Sequence, residues 1–248
     1  GEQGTYFDPF TESLETKYTN HYLCYGKEVF SKYESWISKS YMKKVHIVGS
    51  TKKTITHLSD DIILYATGKW LSNGTSIPRT LDPHLLDPDT RLYRGHTTIL
   101  KYLEQLDDKN KIVLKANPGP NQLPYDLHNV QVDYKEYFVN LLKNARCVII
   151  DEPTTTLIEA CSTNIPIFVL YGRSPWFEKP LSLIKKRAVV EEDPTELMKH
   201  FDRYIKYGDY PADLNNNEFL EGWGSCFSVD QAKNNTMVVL KNILKHQS

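Results

Sequence analysis

The chain has 248 residues, 40% hydrophobic and 25% charged, with a formal net charge of −1. That balance suits a globular protein with a core of its own and supplies no global electrostatic pull toward nucleic acid. No apolar run approaches the ~20 residues needed to span a bilayer, which excludes a transmembrane reading of these residues.

The cysteines, Cys24, Cys147, Cys161 and Cys226, are widely spaced and form no C-x-x-C pair. The spacing argues against a zinc site and for reduced thiols in a cytoplasmic setting. Residues 1–10 read as cut from something longer, with no starting Met. The aromatic stretch 18–25 predicts a short strand, 28–38 a helix, and 45–48 a strand ending at Gly49. The polar stretch 50–59 places a domain boundary there. Beyond it strands alternate with helices: a strand at 62–66, a long polar loop over 67–91, and a helix over 97–106 with Ile99, Leu100, Leu103 and Leu106 at helical spacing. Strands follow at 111–116 and 130–132, then a helix at 134–144 and a strand at 147–150. A helix at 155–162, a strand at 167–170 and helices over 194–204 and 229–246 complete the prediction. Near-continuous β-branched runs between helices predict an α/β, Rossmann-like parallel sheet with helices on both faces and a helical C-terminus.

Ligands of such sheets bind outside the C-terminal ends of the strands, so the segments after each strand carry the chemistry. Asp151-Glu152-Pro153 leads from a strand into Thr154, Thr155 and Thr156, and Glu159 lies on the same helical face as Thr155. Pro153 suits a helix start, and Thr154 or Thr155 suits an N-cap. Three hydroxyls beside free N–H groups at the positive end of a helix make a phosphate site, and a carboxylate one turn on can accept from ribose hydroxyls. Capping threonines and a solvated Glu159 are the competing reading. Lys115-Ala116-Asn117-Pro118 also follows a strand: Lys115 offers a charge, Asn117 a donor and an acceptor, and Pro118 a stop. A surface turn is the plainer alternative. Lys69 and Arg79, with Arg91 and Arg94, are cations that can neutralise a diphosphate or an anionic sugar, although most loop cations are solvated. His84 and His96 lack ligand spacing, so no metal is expected. Trp176 and Phe177 either stack on a base or pack under the next helix. No Walker loop, G-x-G-x-x-G, G-x-S-x-G or H-E-x-x-H occurs.

The run Asp151-Glu-Pro-Thr-Thr-Thr-Leu-Ile-Glu-Ala160 followed by Asn164-Ile-Pro-Ile-Phe168 resembles the nucleotide-binding C-terminal half of GT-B glycosyltransferases of the bacterial surface-carbohydrate group. Lys115-Ala-Asn-Pro118 sits where that group has K-x-H-P, with Asn117 replacing the histidine. Gly1-Glu-Gln-Gly-Thr-Tyr6 resembles its Q-H-G-x-Y turn, with Gln3 in the histidine position beside Gly4. The resemblance covers most of the chain. It implies that residues 1–50 are the tail of an N-terminal acceptor domain plus an interdomain segment. Residues 51–248 would then form the nucleotide-sugar-binding domain, with an N-terminal domain missing from these residues. It further implies Thr154–Thr156 on the donor phosphate, Glu159 on the ribose, and Lys115 with Asn117 lining the nucleotide pocket. The implied activity moves a sugar from a nucleotide-activated donor, a CMP-sugar slightly favoured, to a growing surface polysaccharide. The nucleotide sugar is a substrate and no cofactor is expected; the glycan acceptor and a peripheral membrane or complex association complete the expected partners. Transfer of a polyol phosphate from a CDP donor and a non-catalytic binding module are the alternatives. No catalytic base is assigned.

Overall fold

The computed structural model describes residues 19–35, 43–50, 55–67, 88–107, 109–116, 126–151, 153–171 and 176–245, without the side chains of 88–92. They divide into two compact units. One gathers the described residues of Gly1–Thr54, Trp176–Leu183 and Asn216–Ser248, and the other those of Ile55–Pro175 and Ile184–Asn215.

In the first unit β1 (His21–Cys24) and β2 (Lys44–Ile47) pair in parallel, from His21 opposite Lys44 to Cys24 opposite Ile47. Parallel neighbours require a crossover, and α1 (Lys27–Glu34) lies in it. Tyr22 of β1 stacks on Tyr33 of α1, with ring centroids 4.2 Å apart. A π-helical turn, Leu220–Gly224, meets the start of α1 so closely that a Cβ on Gly26 would stand 2.0 Å from the Gly222 carbonyl oxygen. Only glycine allows that approach. Trp176, Phe219 and Trp223 form a stacked ladder with centroids 6.2 and 5.3 Å apart, and the Lys32 ammonium lies 4.7 Å over the Phe177 ring. Trp176 is therefore packed in this ladder, while Phe177 is exposed beneath Lys32. Helix α7 (Val229–Lys245) belongs to this unit and keeps Met237, Leu240 and Leu244 exposed.

The second unit holds β3 (Ile62–Ala66), β4 (Lys111–Lys115), β5 (Val130–Asp133), β6 (Ala145–Ile150), β7 (Ile167–Leu170) and β8 (Val189–Glu191). The order across the sheet is β5-β4-β3-β6-β7-β8 and every pairing is parallel. Counted within the sheet this is 3-2-1-4-5-6, the Rossmann order. Helices α2 (Pro88–Glu104) and α6 (Pro194–Tyr207) cover one face, where Ile99, Leu103, Leu197 and Phe201 bury against Ile63, Ile149 and Phe168. Right-handed crossovers put α3 (Phe138–Leu142) and α4 (Thr155–Cys161) on the other, where Leu142 and Leu157 are buried. Among the described residues no helix is long and apolar enough to cross a membrane. The four cysteines are free, and burial pushes the thiols of Cys147 and Cys161 up to about 12.

Several elements differ from expectation for local reasons. Helix α2 starts within the predicted loop, at Pro88, because proline suits a first helical turn. Helix α3 is shorter than 134–144 because the Asp133 carboxylate accepts the N–H groups of Lys135 and Glu136, at 2.8 and 2.7 Å, and holds a turn there. Helix α5 (Glu178–Arg187) and the three-residue edge strand β8 had no predicted counterpart. Helix α6 is bounded as its sequence implies: Asp193 accepts from Thr195 and Glu196 N–H, Pro194 opens the first turn, and Gly208 closes it at φ 70°.

Two expectations follow. Gly26→Ala forces backbone against backbone and should cost about 2–3 kcal/mol. Gly208→Ala meets open space and only the left-handed strain of about 1 kcal/mol. Chemical denaturation with hydrogen exchange read in β1 and α1 compares them, and equal losses would refute the tight approach at Gly26. Second, His21 Nδ1 and His46 Nε2 lie 3.1 Å apart with their rings stacked. Burial foremost, then His21 and Lys44, lower the His46 pKa below its ordinary 6.5. The unfolded chain then binds more protons, so stability is fullest above 6.5 and declines as pH falls toward the depressed folded value. Denaturation midpoints between pH 7 and 5 should drop less in His46→Gln than in the parent protein.

Candidate functional site

Because the six strands are parallel, their C-terminal ends share one edge. The strand order reverses between β3 and β6, the point where such sheets open a crevice for ligands. Backbone bonds extend the ladder to this edge: Asp151 N–H donates to Ala66 O at 3.4 Å, Thr67 N–H to Lys115 O at 3.3 Å, and Tyr171 N–H to Glu191 O at 2.9 Å.

Lys115 ends β4 at this edge, Thr154, Thr155, Thr156 and Glu159 follow β6, and all five are half-buried. Thr154 takes the N-cap position of α4, yet its hydroxyl makes no capping bond. The capping alternative therefore does not hold for Thr154. Lys115 is half-buried and folds back on the backbone. Its Nζ donates to Ala116 O at 2.9 Å and lies 3.5 Å from Asp133 O, and burial lowers its pKa. Asn117, Pro118, Glu152, Gln3, Gly4, Lys69 and Arg79 lie outside the described residues.

At the reversal point stands a group of side chains that the sequence did not single out. Asp151, directly after β6, accepts a 2.7 Å hydrogen bond from the Tyr65 hydroxyl on its Oδ2. His96 Nε2 lies 2.5 Å from that same oxygen. All three are buried, His96 at 0% exposure. The periodicity explains the meeting. Tyr65 shares the sheet face of Ile63, and Asp151 continues the alternation of Cys147 and Ile149 onto that face. His96 sits one turn before Ile99 and Leu100 on the inward stripe of α2. Gly95 brings the helix in, since a Cβ there would stand 2.7 Å from Leu170 Cδ2. The missed signal was that stripe itself: an inward histidine over the end of a strand that closes in aspartate.

The remaining carboxylates of the edge are committed locally. Asp133 holds the turn after β5, and the Glu136 N–H bond foremost lowers its pKa. Asp193 caps α6, lies 3.6 Å from Arg94, and is held below the usual range, chiefly by the Thr195 N–H. Glu191 lies 3.4 Å from His200. Burial, with a hydrogen bond to Glu192, pushes the Tyr171 hydroxyl up to about 12. Among the described residues the edge thus gathers threonine hydroxyls, Lys115 and Glu159, and Asp133 and Asp193 are tied into a turn and a cap.

No family model matches the chain, and no curated protein sequence matches it. Among solved structures it is similar to a spinosyn forosaminyltransferase, SpnP, at 12% identity and TM-score 0.45, covering 83% of this chain and 52% of that one. It is also similar to a spinosyn rhamnosyltransferase, SpnG, complexed with spinosyn aglycone, at 15% identity and TM-score 0.42, covering 81% and 50%. A third is described as the glycotransferase of kitacinnamycin, at 13% identity and TM-score 0.43, covering 82% and 49%. The chain spans about half the length of these structures. The fold assignment stands on the strand order.

The shared acceptor yields a stability test. Asp151→Ala removes it from beneath Tyr65 and His96 and should cost about 3 kcal/mol or more. Tyr65→Phe deletes one hydrogen bond and should cost about 1–1.5 kcal/mol. Urea denaturation measures both; equal costs would mean that Asp151 is not the common acceptor.

Proposed function

We propose that the chain contributes the nucleotide-binding part of a GT-B-type glycosyltransferase, moving a sugar from a nucleotide-activated donor to a carbohydrate acceptor. The observation that carries this reading is the gathering of Thr154, Thr155, Thr156, Glu159 and Lys115 at the C-terminal edge of a 3-2-1-4-5-6 parallel sheet, around its reversal point. Threonine hydroxyls and N–H groups at the start of α4 hold the phosphate, Glu159 takes the ribose hydroxyls, and Lys115 adds positive charge from β4. The sequence resemblance of this same run to surface-carbohydrate transferases supports the donor class and favours a CMP-sugar slightly.

Transfer on such an edge needs little covalent chemistry from this part of the protein. Fixing the donor lets an acceptor hydroxyl attack the anomeric carbon in line, while the donors around the leaving phosphate stabilise its developing charge. The acceptor and the base that takes its proton belong to elements outside those placed here. The acceptor is proposed to be a growing surface polysaccharide, with the work done at the cytoplasmic face of a membrane.

A calorimetric panel of CMP, CDP, UDP, GDP and ADP tests the reading. One nucleotide should bind, and Thr155→Ala and Glu159→Ala should each weaken it about tenfold, or ~1.4 kcal/mol. Retained affinity in both variants would move the site elsewhere. Turnover of a CDP-polyol with no turnover of any nucleotide sugar would replace sugar transfer by polyol phosphate transfer.

A further inference from the structure

We infer that one exposed stripe of α7 lies against an anionic lipid surface, with Met237, Leu240 and Leu244 entering the headgroup boundary and the lysines beside them meeting lipid phosphates. The inference supplies the contact that work at a membrane face requires. It rests on residues of the first unit and not on the nucleotide site.

Helix α7 carries two neighbouring stripes at three- and four-residue spacing. Ala232, Thr236, Val239 and Ile243 form the inward one. Ala232 is 0% exposed, and a Cβ on Gly49, just past β2, would stand 3.2 Å from its Cβ. The Thr236 hydroxyl donates to Ala232 O at 2.8 Å, and Val239 and Ile243 are half-buried. Lys233, Met237, Leu240 and Leu244 form the other. Met237, Leu240 and Leu244 are 54%, 41% and 65% exposed. At a rise of about 1.5 Å per residue they make a line roughly 10 Å long. Large apolar side chains held together in water mark a surface that something covers.

Charge decides what covers it. Lys233, Lys241 and Lys245 are exposed on the stripe or along its border, and Asp230 is the one acid of the helix, 3.4 Å from Lys233. Three lysines against one aspartate leave this face positive. A second copy would set these lysines against their equals, which opposes self-pairing. An anionic bilayer attracts them. Their long stems let the ammonium groups reach the phosphates while the apolar side chains sink below. The helix then lies in the plane of the surface, since among the described residues no helix is long and apolar enough to cross a membrane.

Flotation with vesicles of phosphatidylcholine alone, and of phosphatidylcholine with about one-third phosphatidylglycerol, tests the inference. The chain should bind the anionic vesicles at least about tenfold more tightly, and added salt should weaken the binding. Lys241→Gln should weaken it about fivefold and Leu240→Gln about tenfold. Lys109→Gln removes an exposed lysine of the second unit and should bind as the parent does. All three side chains are exposed, so the variants should keep their fold, which circular dichroism and thermal melting check. Equal affinity for neutral and anionic vesicles overturns the inference, as does unchanged binding in Lys241→Gln and Leu240→Gln. Dimerisation seen by analytical ultracentrifugation and abolished by Leu240→Gln would give the stripe to a second copy, and also overturns it. Nucleotide affinity in solution reads the donor site separately, so failure of either reading leaves the other standing.

Discussion

The six strands of the larger unit all run in one direction, and most of the molecule's logic follows from that. Parallel neighbours cannot be joined by tight turns, so each connection is a crossover that carries helices over the faces. Both faces are then covered, the strands become almost wholly apolar, and polar chemistry is driven to the strand ends. Since the ends coincide in space, residues as distant in sequence as Tyr65, Lys115 and Asp151 arrive on one edge. The reversal of strand order between β3 and β6 opens that edge at its centre, where Asp151 stands with both of its partners.

Burying a carboxylate there is costly, and the local structure offsets the cost with two side chains converging on a single oxygen. The other acids of the edge are treated differently. Asp133 and Asp193 remain near solvent and accept backbone N–H groups, which stabilises their ionised forms and fixes the turns they sit in. Carboxylates held by backbone N–H groups therefore lie on the flanks, and the centre carries a buried carboxylate held by side chains. Lys115, curled onto the carbonyls of Ala116 and Asp133, is pulled back from full extension.

The sheet was legible because burial on both faces leaves continuous apolar strands, and Ile62–Ala66 and Ile167–Leu170 stand where the pattern put them. The threonine run and Lys115 were legible because the run follows β6 and Lys115 ends β4. Strand β8 was not, since its two valines, Val189 and Val190, lie between the basic end of α5 and the acids Glu191–Asp193, leaving too short an apolar run to read. Helix α3 was over-read because Leu141 and Leu142 continue an aromatic stripe whose first turn Asp133 takes over for a tighter bend. His96 escaped for a deeper reason. Its partners lie 31 positions back and 55 forward by residue number, and spacing along one chain cannot reveal a contact created by three separate elements meeting.

The opposite end of the sheet buries polar groups as well. There Arg187 is buried, and its Nη2 donates to the carbonyl oxygens of Thr163 and Ile165 at 2.5 and 2.9 Å. The Tyr210 hydroxyl accepts from Ile167 N–H at 3.0 Å and lies 2.9 Å from Arg187 O. Its acidity is suppressed to about 12, chiefly by burial. A guanidinium does not lose its proton, and carbonyls bound within turns do not change charge, so that end has one electrostatic state and serves to close the fold. At the C-terminal edge the buried partners are an imidazole, a carboxylate and a phenol, converging on one carboxylate oxygen at 2.5 and 2.7 Å. The two ends of one sheet thus both bury polar groups, each held by specific hydrogen-bonding or charged partners.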